Sequence, residues 1–543
     1  MPARRLVLKG NRRPQVVPGS LTLRAPGAKI EVTLKLRPCA QSPAMKKRIQ
    51  SLLQAPPNRR KYLSRAEHEQ AFGLRPGDLA KVEAFARRNG LALLESHAAK
   101  RTVRLRGSVA QVQRAFGVRL RSLREKKARY HSHREAVSLP REISRAVRAV
   151  FGLDTRPIMK SHVLHASPDA GAGGGPGISP RDVRSLYQFP PGLDGSGRCL
   201  AIIEVNTPNA FLGGLDTGYR DTDLAQFFNG TGLKPPVVTP IPGANGAGNF
   251  PGVSDHADAE AALDIQMGAA AAPGAAIAVY FGLNCEQGYH DAMASAIHDT
   301  VRNPRVISTS WGLAEAEYGA SFMAEMDQLF QEAATLGVTI CASAGDFGSS
   351  GKDQGAADGI PHAHFPASSP SVLACGGTTL ASQSGAVVSE RVWNGTFATG
   401  AGGGGVSETF ALPPWQKSCR VPASAQKKWA GRGIPDLAAH ADQASGYRII
   451  VNGEPRVLGG TSAVAPLIAG LLTCINQSRA AAGQGPVGFI NPQLYSHPEA
   501  FRDIVDGNND IDGSFGVYSA QSGWDACTGL GAPLGTSILK ILS

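Results

Sequence analysis

Residues 337–346 read GVTICASAGD, a nearly continuous apolar stretch that ends in a glycine and an aspartate. A short apolar run bounded by glycine is typical of a strand buried on both faces of a parallel sheet. Similar runs occur at 199–205 (CLAIIEV), 276–281 (AIAVYF) and 305–311 (RVISTSW). Helical patterns at 256–270 and 322–336 lie between them. Buried strands alternating with helices predict an α/β domain built on a parallel sheet.

The first part of the chain has a different pattern. Residues 30–37 (IEVTLKLR) and 102–108 (TVRLRGS) alternate like strands, whereas 78–90 has helical spacing and ends at Gly90. This pattern predicts a small α+β domain with an antiparallel sheet. A chain of 543 residues is too long for one ordinary domain. The Gly-rich stretch ASPDAGAGGGPGI (166–178) is the clearest linker. We therefore predict a first domain over 1–160, a linker over 161–178 and a second domain over 179–543.

Charge is divided unequally along the chain. Residues 1–180 hold 37 Lys and Arg against 11 Asp and Glu, a net charge of +26, and the remainder holds 19 against 32, a net charge of −13. One interpretation is a nucleic-acid-binding arm. The other is a pair of oppositely charged domains that bind each other. The second is favoured, because the basic residues are spread through patterned helices and strands without an aromatic platform.

The eight cysteines are far apart and form no CxxC pair. Several lie inside apolar runs, where a buried free thiol is the ordinary state. They predict neither a disulfide framework nor a zinc site. The chain begins with basic residues but shows no apolar stretch of signal-peptide length. The longest apolar run, near 463–475, is too short to span a bilayer.

Ser462 lies in the small-residue turn GGTSAVAPLIAG (459–470), ahead of Pro466 and an apolar run. This turn resembles the nucleophile turn of subtilisin-type serine peptidases, in which a histidine from an HGT-type turn acts as the base. No His-Gly pair occurs in the sequence. A structural or surface role is the better interpretation of the histidines after residue 180, which are His256, His290, His298, His362, His364, His440 and His497.

Carboxylates offer another base. Glu260 and Asp264 are four residues apart, so both project from one face of a helix about one turn apart. An exposed polar stripe is the alternative, but the flanking residues are mainly Ala, Leu, Ile and Met. Two like charges in a dry site cannot ionise independently, and at least one pKa must rise. Such a pair can act as a base near pH ~4, where a histidine is protonated.

Asp346 follows the apolar strand at a Gly-rich turn. Strand ends are where α/β folds place catalytic groups, although Asp is also common as a simple turn residue. Taken alone, the turn interpretation is favoured.

Four segments together, ExxxD (260–264), SWG (310–312), SAGD (343–346) and GGTSAVAP (459–466), resemble the sedolisins, the serine-carboxyl peptidases, most closely the kumamolisin type. The resemblance covers nearly the whole chain. It implies a subtilisin-like catalytic domain with flanking helices, preceded by a ferredoxin-like α+β activation pro-domain.

The resemblance also assigns roles. Ser462 would be the nucleophile, Glu260 its general base and Asp264 the residue that supports Glu260. Asp346 would be protonated and donate a hydrogen bond to the oxyanion, since an ionised carboxylate would repel that charge. In the kumamolisin type a Glu and a Trp extend the network, and they match Glu204 and Trp311; packing at strand ends is the alternative for these two.

One calcium ion is implied near the C-terminus. The family's site maps onto Asp503, Ile504, Gln521, Gly523 and Asp525, and two carboxylates with carbonyls suit a hard cation. A capped turn without metal is the alternative. An EF-hand is excluded, because Ser519 stands where that loop needs a glutamate.

The expected function is that of an acid-active serine endopeptidase made as a zymogen, acting on proteins or peptides. The basic pro-domain would inhibit the acidic catalytic domain and be removed autocatalytically at acid pH, within the linker. A monomer, secreted and without nucleic-acid or membrane partners, is expected from the resemblance. The alternative is an inactive relative that binds peptides or calcium. His364 stands where the kumamolisin type has an Asp, so that type's preference for basic residues does not carry over.

Overall fold

The computed structural model describes residues 5–8, 22–23, 26–39, 42–125, 128–165, 177–207 and 215–543. They form two domains with separate sheets and separate hydrophobic cores. Most of the predicted linker, residues 166–176, lies outside the described residues. Residues 161–165 of that linker are described and pair with strands of the second domain.

The first domain has a four-stranded antiparallel sheet in a β-α-β-β-α-β chain order, as predicted for a ferredoxin-like fold. In spatial order its strands are Ala92–His97, Thr102–Ser108, Lys29–Leu36 and Val147–Phe151. The two helices of the repeat are Pro76–Asn89 and Val109–Phe116. The other elements are the helices Ser42–Gln54, Arg65–Phe72 and Arg141–Ser144, with short strands at Arg5–Val7, Thr22–Leu23, Arg121–Glu125, Ala128–Ser132 and Ser138–Pro140.

The core of this domain follows from the predicted alternation. Val32 and Leu34 point from the central strand into a core that also holds Phe85 and Phe116, one from each helix. The helix Pro76–Asn89 ends where Gly90 predicts. Both predicted strands and the predicted helix are therefore present, because each presents one apolar face to the other layer.

The second domain has an eight-stranded sheet in which seven strands run parallel and Ala386–Val392 runs antiparallel at one end. The order along the sheet is Val238–Ile241, Ala276–Leu283, Cys199–Asn206, Val306–Thr309, Thr339–Ser343, Leu373–Gln383 and Ala386–Val392, with Leu437–His440 also paired to Leu373–Gln383. This is the predicted doubly covered parallel sheet.

Helices cover both faces of this sheet. Leu200 and Ile202 face one core, and Ala201 and Ile203 on the same strand face the other, so the strand is apolar throughout. The longer helices are Asp221–Thr231, Asp255–Ala271, Glu286–His298, Ala320–Thr335, Thr461–Ala481 and Gly535–Leu542, and the short ones are Val183–Leu186 and Asn491–Tyr495.

The stretch 305–311 was predicted as one strand but forms two. Val306–Thr309 stays in the parallel sheet, whereas Trp311–Ala314 leaves it and pairs with Lys160–Ser161 and His364–Phe365. The two strands are separated at Ser310, whose side chain donates a hydrogen bond to Asp264 on a neighbouring helix. A tertiary hydrogen bond therefore interrupts a run that is locally suited to one strand.

Two helices carry the predicted nucleophile and base: the Ser462 helix (Thr461–Ala481) and the Glu260 helix (Asp255–Ala271). They cross closely because Gly470 lacks a side chain; a Cβ there would lie 2.3 Å from the Cβ of Ala271. Residues 257–271 are all buried, so the Glu260 helix has no solvated face along that stretch.

The two domains contact each other through opposite charges. Arg101 of the first domain is paired with Glu332 of the second, and both side chains are fully buried. Arg148 is paired with Glu325 in the same interface. These pairs support the interpretation that the basic and acidic parts of the chain bind each other. Among the described residues, no helix is both long and apolar enough to cross a membrane.

Candidate active site

Ser462 is the second residue of its helix and is fully buried. Gly460, two residues before Ser462, has a φ of 99°, a backbone conformation that residues other than glycine rarely adopt. A Cβ on Gly460 would lie 1.9 Å from the carbonyl oxygen of His162. The Ser462 hydroxyl has no hydrogen-bond partner among the described residues. It is therefore an uncommitted hydroxyl beside a segment from the N-terminal part of the chain.

Glu260 and Asp264 are fully buried on the Glu260 helix, which excludes the exposed polar stripe. Ser310 Oγ donates to Asp264, at 2.8 Å from Oδ1 and 2.9 Å from Oδ2. Neither carboxyl oxygen of Glu260 has a hydrogen bond of ordinary geometry within the described residues. The Ser462 hydroxyl nevertheless lies close enough to lower the pKa of Glu260. The predicted nucleophile and base thus face each other across the two helices.

Glu204 and Trp311 join this group. Trp311 Nε1 donates to Glu204 Oε2 at 2.9 Å, and Glu204 is fully buried. The Asp264 carboxyl raises the pKa of Glu204, which places the two carboxyls close together. The structure therefore places both residues in the network rather than in separate strand-end packing.

Burial holds the pKa values of Glu204, Glu260 and Asp264 well above their ordinary range. The pKa of Glu260 is raised further by Asp264, Glu204 and Asp346. The Ser310 hydroxyl opposes the shift at Asp264, since it stabilises the carboxylate. Like charges this close cannot all be ionised, so the group retains at least one proton near neutral pH.

Asp346 follows the strand Thr339–Ser343 and is buried. Its Oδ1 accepts two hydrogen bonds from Thr461, from the main-chain N–H at 2.8 Å and from Oγ1 at 2.7 Å. Burial raises the pKa of Asp346 to about 7, although these bonds oppose the rise. Since Oδ1 accepts twice, the carboxyl proton belongs on Oδ2. A Cβ on Gly460 would lie 2.4 Å from that Oδ2, so it points to the same place as the His162 carbonyl.

Residues Lys160–His165, here called the cleft segment, run between these groups. Lys160 and Ser161 pair antiparallel with Gly312 and Trp311. Leu164 and His165 pair antiparallel with Gly459 and Leu458.

The middle of the cleft segment is buried, with His162 at 2% and Val163 at 1% exposure. The predicted linker is therefore not a free loop at its beginning, because its backbone completes strands on both sides of Ser462.

The cleft segment brings histidines together. His162 Nδ1 lies 2.6 Å from Ser343 Oγ, and His162 Nε2 lies 3.2 Å from His364 Nδ1. His364 is buried, which lowers its pKa to about 4, so it is neutral in this form of the protein rather than a positive surface group. No histidine among the described residues is hydrogen-bonded to Ser462.

Sequence reasoning missed three site residues. Ser310 supports Asp264, Thr461 holds Asp346, and Ser343 contacts His162. Each is adjacent to or within a predicted motif: Ser310 in SWG, Ser343 in SAGD and Thr461 before the nucleophile. Their place in those motifs is the signal that could have identified them.

Four of the predicted calcium ligands are joined in two hydrogen-bonded pairs near the C-terminus. Asp503 Oδ2 accepts from Gly523 N at 3.0 Å, and Asp525 Oδ2 accepts from Gln521 N at 3.2 Å. Burial raises the pKa of Asp525 to about 6. Such a rise is typical of a buried carboxylate whose charge is not balanced by a positive group. Two carboxylates that contact the same loop are ligands of the type that a hard divalent cation prefers. Among the described residues there is no group of three or more His, Cys, Asp and Glu suited to a metal.

Comparisons with known proteins support the assignment made from the motifs. Residues 23–156 match the family "Pro-kumamolisin, activation domain", and residues 252–486 match the subtilase family. The chain is 43% identical to kumamolisin of Bacillus sp. (strain MN-32) over 503 residues, which span 90% of this chain and 87% of that protein. The chain belongs to the sedolisin family of serine-carboxyl peptidases.

Other members agree with this. Sedolisin of Pseudomonas sp. (strain 101) is 28% identical over 524 residues, covering 93% of this chain and 85% of that one. The solved structure of Pseudomonas sedolisin complexed with two molecules of pseudo-iodotyrostatin has a TM-score of 0.57 at 28% identity and covers 67% of this chain and 97% of that one. As a member of this family the protein is a serine-type hydrolase with an N-terminal pro-domain.

Proposed function

We propose that this sedolisin-family enzyme is an acid-active serine endopeptidase made as a zymogen. Ser462 attacks the peptide carbonyl, Glu260 is its general base, Asp264 supports Glu260, and Asp346 stabilises the oxyanion. The observation that carries the proposal is that Ser462 and Asp346 lie close enough to Glu260 to shift its pKa, with the His162 carbonyl near Asp346.

The groups around Glu260 determine how well its carboxylate can accept a proton. Glu260 faces the uncommitted Ser462 hydroxyl, and Asp264 lies one helical turn further on. A raised pKa makes the Glu260 carboxylate a stronger acceptor of the Ser462 proton than an exposed glutamate. Ser310 fixes the Asp264 carboxyl, and Trp311 fixes that of Glu204. Glu204 and Trp311 therefore act as positioning residues that tune the charge of the base.

The oxyanion is stabilised by a neutral acid. With a pKa of about 7, Asp346 is protonated throughout the acid range. Its free Oδ2 then donates to the oxygen that becomes negative, whereas an ionised Asp346 would repel that oxygen. This requirement supports the proposed acid pH range, because the donor is lost as the pH rises above about 7.

The pro-domain is proposed to act as an intramolecular inhibitor that the enzyme removes itself. The cleft segment fills the space next to Ser462, so external substrates cannot enter while it is bound. The buried pairs Arg101–Glu332 and Arg148–Glu325 hold the rest of the pro-domain in place. Activation then requires cleavage and release of this part of the chain.

We also propose one structural calcium ion held by Asp503, Ile504, Gln521, Gly523 and Asp525, through two carboxylates and main-chain carbonyls. The ion would neutralise the buried Asp525 and tie its loop to Asp503. An extracellular location and a monomeric state are proposed from the family alone.

Hydrolysis of an acid-denatured protein between pH 3 and 5 tests the proposed reaction. Full activity is expected from the processed wild type, and losses of at least ~10³-fold from Ser462→Ala and Glu260→Gln. Ser382→Ala and Glu499→Gln change the same residue types at exposed positions and serve as controls. A wild-type protein without activity would favour the alternative of an inactive, peptide-binding relative.

A further inference from the structure

We propose that the bond cut in self-processing is His162–Val163, and that the pocket around the His162 ring selects the residue on the N-terminal side of the cut. This inference rests on the proposed function, since it takes Ser462 as the nucleophile. It replaces the broad processing region 161–178 with one peptide bond.

The first argument is the strand register on each side. Lys160 and Ser161 pair with Gly312 and Trp311, just after Ser310. On the other side, Leu164 and His165 pair with Gly459 and Leu458, shortly before Ser462. Only His162 and Val163 lie between the two paired stretches. The backbone is thus held extended on both sides of one peptide bond, next to the nucleophile.

The second argument is the position of the carbonyl. A Cβ placed on Gly460 would lie only 1.9 Å from the His162 carbonyl oxygen and 2.4 Å from Asp346 Oδ2, so the two oxygens are neighbours. Two acceptor oxygens converge without repulsion only if one carries a proton, and Asp346 Oδ2 is the oxygen on which that proton belongs. The His162 carbonyl therefore lies where the oxyanion donor points.

The third argument is the pocket around the His162 ring. His364 Nε2 lies 2.6 Å from the carbonyl of Gly351, which can only accept, so this nitrogen carries the proton. His364 Nδ1 is then an acceptor in the neutral ring, and His162 Nε2 donates to it. His162 Nδ1 is left to accept from Ser343 Oγ. The pocket thus offers the Ser343 hydroxyl as a donor, and His364 Nδ1 with the nearby Gly312 carbonyl as acceptors, to the side chain that fills it. An imidazole can hydrogen-bond to these groups and a phenyl ring cannot.

The chemical step balances with water alone. Ser462 Oγ forms a bond to the His162 carbonyl carbon, and its proton passes to Glu260. The bond from that carbon to Val163 N then breaks, and Glu260 returns the proton to the nitrogen, which becomes a new amino terminus. Water next gives its hydroxyl to the His162 carbonyl carbon and its proton, through Glu260, to Ser462 Oγ. The products are a chain that ends at His162 and an enzyme that begins at Val163.

The test is a time course of the full-length zymogen after acidification, read by intact mass and N-terminal sequencing of the earliest product. The expected first amino terminus is Val163-Leu164-His165. An earliest cut elsewhere, for example within 166–178, by an enzyme that hydrolyses external protein would overturn this inference and leave the proposed function standing. Absence of both self-processing and external hydrolysis would overturn the proposed function itself.

Two further measurements do not depend on the zymogen's folding. Processed enzyme is given the peptide IMKSHVLHAS, which copies residues 158–167, and a second peptide with phenylalanine in place of the histidine at position 162. At pH ~6.5, where a large part of both imidazoles is neutral, we expect cleavage between His and Val, and about tenfold slower cleavage of the second peptide. In the zymogen, His162→Phe should slow the first cut, whereas His497→Phe, outside the cleft segment, should not. Equal rates for the two peptides would remove the selecting role of the pocket.

Discussion

His162 Nε2 lies 3.2 Å from His364 Nδ1, in a buried contact between the cleft segment and the catalytic domain. Other groups near the pair are Ser343, the carbonyls of Gly312 and Gly351, and, further away, the Lys160 cation and the His362 ring. Among the described residues, no carboxylate hydrogen-bonds to either ring. A proton added to one ring leaves one hydrogen bond between the two rings, but a proton on each makes two donors and two positive charges face each other.

Histidine rings also lie close together at two other places in the interface. The rings of His68 and His298 lie 5.4 Å apart, and those of His165 and His256 lie 5.6 Å apart. Charged groups facing the first pair are Glu332, Arg101 and Lys35, and those facing the second are Asp255 and Arg456. In each pair one histidine belongs to residues 1–165 and the other to the catalytic domain.

The first prediction is that acid weakens the docked zymogen through these histidines. Burial holds the pKa of His162 well below its ordinary value and lowers that of His364 to about 4. A histidine that binds its proton less readily when docked stabilises docking fully above its free pKa of ~6.5, and this stability is lost as the pH falls toward 4. In an inactive Ser462→Ala background, the Tm should therefore fall between pH 6.5 and 4.

Adding His364→Gln to that background should make the fall in Tm smaller, because one group that resists protonation is removed. His497→Gln, at a partly exposed histidine, is the matched control and should leave the slope unchanged. An unchanged slope in the His364→Gln protein would contradict the role assigned to the pair.

The second prediction concerns the alkaline limb of activity. Because Asp346 has a pKa of about 7 and must be protonated to donate, kcat/KM should fall as the pH rises through that value. Asp346→Asn supplies an amide donor that does not titrate, while its carbonyl can still accept from Thr461. The variant should be less active than wild type but should lack this alkaline limb in a pH–rate profile. Retention of the limb would assign it to another group.

The third prediction concerns the acid limb. Trp311 lowers the pKa of Glu204, and the Glu204 carboxylate raises the pKa of Glu260. Trp311→Phe removes the hydrogen bond, so Glu204 stays neutral to higher pH and repels Glu260 less. The pKa of Glu260 should then fall, and the acid limb of kcat/KM should move to lower pH. If Trp311 had only a structural role, Trp311→Phe would change the amount of folded enzyme without moving the acid limb of kcat/KM.

The fourth prediction concerns calcium. If the ion is bound by the folded protein and not by the unfolded chain, chelation should lower the Tm of the processed enzyme by several degrees, and excess calcium should restore it. Asp503→Ala should have the lower Tm already and should no longer respond to chelator. Asp512→Ala, at an exposed Asp of the same region, should respond like wild type. A wild type that is insensitive to chelator would remove the calcium site.

The fifth prediction concerns specificity after processing. Once the cleft segment has left, His364 is exposed to solvent and becomes positive at acid pH, so the pocket should disfavour lysine and arginine. His364→Asp should raise cleavage after basic residues relative to acidic ones in a peptide library at pH 4 to 5. No change in that ratio would mean that residue 364 does not face the substrate.

The parallel sheet and the family could be predicted from the sequence, which also supplied the candidate site residues. Apolar strands such as 199–205 fold as predicted because burial on both faces leaves a continuous local pattern. Glu260 and Asp264 could be paired from their spacing, since one helix fixes their separation. The split at Ser310 could not be predicted, because it depends on a hydrogen bond to Asp264 from another element.

The position of the cleft segment could not be predicted from the sequence. Lys160–His165 has no strong local pattern, and its register is set by main-chain hydrogen bonds to strands at 311–312 and 458–459, far along the chain. The pairing of His162 with His364 and the direction of Asp346 Oδ2 follow from that register. Local spacing fixes which side chains share a helix or strand, whereas contacts between elements exist only once the sheet and both domains are packed.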